Sequence, residues 1–231
     1  MIASVFCPCG IVTATSCLDT FFEPREKDGD VIAYPIGIEG LPHLLTFWDT
    51  YALVFKIINQ SSYDSSVSVS LSSLESFWDD TPSPEEFIAS FKRVITENKI
   101  QLLGIVSTYY SKDGKRKIPY VYQVLGQDTR RINIDNKGDI NYNCICLEKE
   151  PILGRLLKQV KLRNGDIWED LAECTPRYDL FSISKSVDFC KFAIKTDHFI
   201  NNITTTTYQA PILIDMAVVT PNSIEISQNK Y

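Results

Sequence analysis

Two Cys-x-Cys pairs, Cys7/Cys9 and Cys144/Cys146, are the first residues in this sequence whose spacing could do chemistry. On a strand, an i, i+2 spacing puts both sulfurs on one face, so two neighbouring strands could bring four thiolates to a zinc ion. Zinc sites favour Cys-x2-4-Cys knuckles, whose longer turn lets both sulfurs wrap the metal. Packing as small buried hydrophobes in a sheet is therefore the better reading of both pairs. His43 and His198 lack a suitable neighbour in sequence. Either could join a serine or cysteine in space as a general base, but a structural histidine is the simpler reading. Asp79-Asp80 and Glu85-Glu86 flank a helix start, where negative charge is favourable on structural grounds alone. The run Lys112-Asp-Gly-Lys-Arg-Lys117 is the basic cluster of the chain, with Tyr109, Tyr110, Tyr120 and Tyr122 nearby as potential stacking surfaces for a nucleic-acid base. A solvated hairpin tip is the simpler reading. No dinucleotide-binding glycine motif, P-loop, His-Glu-x-x-His or calcium loop is present.

The elements that must position these residues can be read from hydrophobic period and turn chemistry. Ile2–Phe6 and Gly10–Thr15 are β-prone runs joined by Cys-Pro-Cys-Gly, which predicts an opening hairpin. Val31–Ile36 and Leu44–Trp48 read as a second pair of strands, and Tyr51–Ile58 fits a strand or a buried helix equally well. Val67, Val69 and Leu71 alternate with serines in the period of a strand. The strongest local signal follows: Ser83 as N-cap, Pro84 at the first helical position and Glu86 closing a capping box predict a helix over 84–98.

Ile100–Tyr110 and Ile118–Leu125 predict a hairpin about the Asp-Gly turn at 112–115, with a third strand beside them reaching Leu147. Pro151 opens a helical stretch that ends at Asn164-Gly165, and Ser186–Ile200 predicts a helix apolar on more than one face. Pro211–Val219 and Ile224–Ser227 read as the closing strands.

Composition bounds the whole. An apolar share of 44% over 231 residues is enough for a sizeable core. The net charge of −6 argues against a broad electrostatic footprint on nucleic acid or anionic lipid. Seven cysteines in a chain this long do not form the dense, even pattern of a disulfide framework, which points to a reducing compartment. No apolar run has membrane-spanning length, and the first residues lack the basic stretch and cleavage site of a signal peptide. A cytoplasmic, soluble protein is expected.

The order of strands and helices is that of a four-layer αββα sandwich. Met1-Ile-Ala-Ser-Val-Phe-Cys-Pro-Cys-Gly-Ile-Val-Thr-Ala-Thr-Ser16 resembles the first hairpin of proteasome β-type subunits and their relatives, the N-terminal-nucleophile hydrolases, with Gly10 at the family's glycine. Ile32–Ile36 is similar to the strand bearing the family's lysine, and Ile212–Val219 with the Thr220-Pro-Asn-Ser turn is similar to its closing strands. The resemblance implies a catalytic N-terminal Thr, Ser or Cys whose own α-amino group is the base. Matched glycine to glycine, Met1 stands at the nucleophile, Ser16 at the aspartate and Ile32 at the lysine, so all three positions lack the chemistry. The expectation is one α+β domain over 1–231, acting as a non-catalytic assembly or binding subunit. No catalytic, cofactor-binding or metal-binding residue is assigned, and no cofactor is expected. The expected partners are copies of itself or related subunits, with no membrane or nucleic acid. The alternative is an amide or peptide hydrolase activated by processing to Ser4, or one using a thiol such as Cys7 or Cys17.

Overall fold

The computed structural model describes residues 1–18, 22–27, 30–35, 42–58, 71, 73–77, 80–147, 161–164, 167–170, 176–204 and 212–230. Strands β1 (Ile2–Cys7) and β2 (Gly10–Leu18) form the expected opening hairpin, with Cys7 opposite Gly10. β3 (Phe22–Lys27) and β4 (Asp30–Pro35) make a separate two-stranded sheet, whereas β5 (Pro42–Phe47) pairs with β6 (Tyr51–Ile57). The expected pairing of 31–36 with 44–48 is thus corrected. Lys27 faces Asp30 across a two-residue connection, Asp28-Gly29 in sequence, and that composition favours a tight hairpin. The ambiguous run 51–58 is a strand because its alternate residues face two different apolar layers.

The alternating segment at 62–70 lies outside the described residues; Leu71 is fully buried and Ser73–Phe77 is a 3-10 turn. Helix α1 (Pro84–Glu97) carries the predicted capping box in full. Glu86 Oε2 accepts from the Ser83 N–H at 2.9 Å, and Ser83 Oγ accepts from the Glu86 N–H at 3.4 Å.

β7 (Leu102–Tyr110) and β8 (Ile118–Gly126) pair as predicted, but Tyr110 faces Ile118 across the longer loop 111–117 instead of a two-residue turn. That stretch has no apolar residue to hold a ladder; Asp113 Oδ1 instead accepts from the Lys115 N–H at 3.1 Å. The strand beside β8 is β9 (Asp128–Arg131), and the segment reaching Leu147 is β10 (Asn143–Leu147), which pairs with β1 in the other sheet. Buried Asn133 stitches the crossing segment to β8. Its Oδ1 accepts from the Val121 N–H at 3.1 Å and its Nδ2 donates to the Pro119 carbonyl at 2.8 Å.

Residues 151–160 of the expected helical stretch lie outside the described residues, and its end is instead strand β11 (Lys161–Asn164), paired with β12 (Ile167–Asp170). Asn-Gly is both a helix terminator and a hairpin turn, and here Asn164 pairs with Ile167. Helix α2 (Ile183–Thr204) starts three residues before the expected Ser186, where Ser182 Oγ accepts from the Lys185 N–H at 3.3 Å. β13 (Ile212–Val219) and β14 (Ile224–Lys230) close the described chain.

Two antiparallel five-stranded sheets result, ordered β10-β1-β2-β13-β14 and β5-β6-β7-β8-β9. Strand alternation sorts their side chains into three apolar layers. Ala3, Val5, Val12, Ala14 and Met216 pack under α2 with Cys190 and Ile194. Ile2, Phe6, Ile11 and Val219 meet Val54, Ile105 and Val121 between the sheets. Leu53, Phe55 and Val106 meet Phe87, Phe91 and Ile95 of α1 on the far side. The architecture is the expected α+β sandwich, αββα from α2 to α1.

Candidate functional site

Residue 1 and residue 16 do come together, as the hairpin register requires. The Met1 ammonium donates to Ser16 Oγ at 3.0 Å, and the Met1 carbonyl accepts from Thr15 Oγ1 and from the Ser16 N–H, both at 3.2 Å. The Met1 side chain is 3% exposed and packs in the layer under α2. Ile32 lies on β4 opposite Arg25, its side chain outside the description. Ser4 sits mid-strand in β1, flanked by Thr13 of β2 and Ile145 of β10. It is fully buried, and its hydroxyl shares a 2.8 Å hydrogen bond with that of Thr13, itself 1% exposed.

The strands carrying the two Cys-x-Cys pairs are indeed neighbours, since β1 pairs with β10. Cys144 and Cys146 lie opposite Val5 and Ala3, which places them in the α2 layer. Cys9 is exposed in the β1–β2 turn, while Cys7 is buried with Ser186 Oγ donating toward its sulfur at 3.5 Å. The five cysteines whose side chains are described are free thiols, and among the described residues no group of three or more His, Cys, Asp or Glu is placed to hold a metal ion. Burial pushes the Cys144 thiol up, against the pull of its 2.8 Å hydrogen bond with the Tyr178 hydroxyl. Burial, reinforced by the neighbouring Cys144 and Asp197, pushes Cys146 up to about 12. Cys190 of α2 is driven up by complete burial, its sulfur facing the carbonyls of Ala3 and Val12. Thiols held neutral in this way are poor nucleophiles and poor metal ligands. Cys17 lies on β2 opposite Leu213, and its side chain is outside the description.

His198 is half-buried on α2, and burial lowers its pKa despite the opposing charge of Asp197. Among the described residues it hydrogen-bonds to no serine or cysteine. His43 lies on β5 opposite Phe55, with its side chain outside the description. Asp79 is likewise outside the description, Asp80 is exposed, and Glu85 and Glu86 sit in the first turn of α1. Hydrogen bonds from Ser83 hold the Glu86 carboxyl below its usual range, which is the chemistry of a helix cap. The basic run occupies the β7–β8 loop with every residue from Lys112 to Lys117 exposed. Its neighbouring tyrosines do not form a stacking surface: Tyr109, Tyr120 and Tyr122 are 5%, 6% and 8% exposed. Tyr120 and Tyr122 stack against each other in the α1 layer, while Tyr109 points the other way, between the sheets. Sequence reasoning missed Asn133 because its partners lie on β8, 12 to 14 positions away.

No family model and no curated protein matches the sequence. Among solved structures, the chain is similar to Anbu (ancestral beta-subunit) from Yersinia bercovieri, at 11% identity and TM-score 0.47, covering 97% of this chain and 86% of that one. It is also similar to an Anbu (Gly-1) mutant from Hyphomicrobium sp. strain MC1, at 12% identity and TM-score 0.50, covering 99% and 85%. The second match is a likeness of fold over nearly the whole chain. The kinship with proteasome β-type subunits and N-terminal-nucleophile hydrolases read from the opening hairpin is corrected accordingly. No family model carries it, and what is found is a sandwich shared with the Hyphomicrobium Anbu mutant at an identity that shows the fold alone.

Proposed function

We propose that this protein is a non-catalytic subunit, folded as one domain over 1–231, that assembles with copies of itself or related chains. The observation that carries this reading is the outward face of α2. Phe192 and Phe199 are 55% and 63% exposed and stand seven residues apart, two helical turns along one stripe. Cys190, Ala193 and Ile194 of the same helix are buried against the sheet, so the two phenyl rings lie on the side of the helix that the sheet does not cover. A stripe of this kind is stabilised when a second surface covers it.

The non-catalytic half of the proposal rests on Ser4 and the thiols. Cleavage ahead of Ser4 would remove residues 1–3, and with them the β1 pairs that Ile2 and Ala3 make to both β2 and β10. The hydroxyl it exposed would still be the one bonded to Thr13. Ser4→Ala leaves the buried Thr13 hydroxyl without that partner, so it is expected to cost about 1–3 kcal/mol of stability. Intact mass and hydrolysis of fluorogenic peptide amides complete the test. An unprocessed chain with no turnover above that of Ser4→Ala is expected, and a chain cleaved before Ser4 with turnover lost in the variant would reject the non-catalytic reading.

A further inference from the structure

The end of the sandwich away from Met1 carries a groove of about 580 Å³, a size typical of small-molecule sites. It is framed by the β1–β2 turn at Pro8, the β7–β8 loop, the segment at Ile140–Tyr142 and the β13–β14 turn at Pro221. Lys115, Arg116 and Lys117 line one wall. Tyr109, also lining it, is 95% buried by its 5% exposure, and among the described residues its hydroxyl has no hydrogen-bond partner. A buried hydroxyl without a partner is rare enough to call for one.

The charge of the loop is both concentrated and uncompensated. Lys112, Lys115, Arg116 and Lys117 face a single local carboxylate, Asp113, and form no ion pair among the described residues. Asp113 is occupied with holding the loop. Its carboxylate accepts from the Lys115 N–H at 3.1 Å and from Ser111 Oγ at 3.3 Å, and Gly114 turns the chain at φ +73°. The rest of the chain is acidic enough to bring the net charge to −6, which disfavours a long polyanion while leaving this pocket attractive to a small one.

We infer that this groove binds a small phosphate-bearing organic molecule, with the phosphates on Lys115, Arg116 and Lys117 and a polar group of its body on the Tyr109 hydroxyl. The apolar walls at Pro8, Ile140 and Tyr142 suit a flat body better than a bare inorganic ion.

Calorimetric titration of the full chain with ATP, with inorganic pyrophosphate and with a uridine homopolymer tests this. Saturable 1:1 binding of ATP, tighter than that of pyrophosphate, is expected. A Lys115→Ala, Arg116→Ala, Lys117→Ala variant alters only exposed side chains, and should weaken ATP binding by about tenfold or more at an unchanged melting temperature. Tyr109→Phe should weaken ATP and leave pyrophosphate unaffected. No saturable ATP binding at millimolar concentration, binding indifferent to the triple variant, or tighter binding of the homopolymer through the same loop would each overturn the inference.

Discussion

At the scale of single residues, burial decides what each thiol can do. Cys146 is neutral in the folded chain up to about pH 12, whereas in the unfolded chain it ionises near its ordinary 9.0. Below pH 9 both states are protonated and the thiol makes no pH-dependent difference. As pH rises from 9 toward 12 the unfolded state alone loses a proton, so stability falls across that window. The fall in denaturation midpoint between pH 9 and 11 should be shallower in Cys146→Ala, and an identical slope would contradict the assignment. Exposed Cys9 should alkylate well before Cys144, Cys146 and Cys190 when peptides are mapped after brief iodoacetamide treatment at pH 8. The i, i+2 spacing gave the shared face of Cys144 and Cys146 directly. Their neutrality was not legible, because it comes from α2 closing over them, and α2 lies some 40 residues further along the sequence.

At the scale of elements, short-range signals were readable and pairings were not. Ser83, Pro84 and Glu86 specified the start of α1 because every atom of a capping box lies within four residues. Gly10, which the resemblance singled out, has a physical reason in the tertiary structure. A Cβ there would run into the Ile183 side chain at the start of α2 and come within 2.9 Å of the Val219 carbonyl. Gly10→Ala is therefore expected to destabilise by about 1–3 kcal/mol, measured by urea denaturation. Adding Ile183→Ala should recover part of that loss, since it removes the side-chain clash and leaves the carbonyl one. Additive losses in the double variant would contradict this packing. The β3–β4 hairpin was hidden for a different reason: Phe22–Lys27 is mostly charged and polar, so Asp28-Gly29 was the one cue to it.

At the scale of the whole molecule, the αββα layering followed from element order and the two strand faces. The sheet in which each strand pairs did not. β10 joins β1 because the crossing segment is tied down by Asn133, a long-range contact with no local pattern. The four polar residues of β9 take the place beside β8 that the apolar β10 was expected to fill. Residue types alone say that Met1, Ser16 and Ile32 offer no N-terminal hydroxyl or thiol, no carboxylate and no ammonium side chain, while the face that carries the assembly proposal was not legible. A helix apolar on more than one face predicts two packed sides, but only the structure shows that, among its described residues, Phe192 and Phe199 are the large apolar ones left exposed.

Native mass spectrometry of the full chain at micromolar concentration tests the central claim most directly, with the Phe192→Asp, Phe199→Asp variant measured alongside. The account predicts a defined oligomer that the double substitution reduces to monomer without loss of folded structure. A strict monomer for the unsubstituted chain, or an oligomer indifferent to both substitutions, would contradict it.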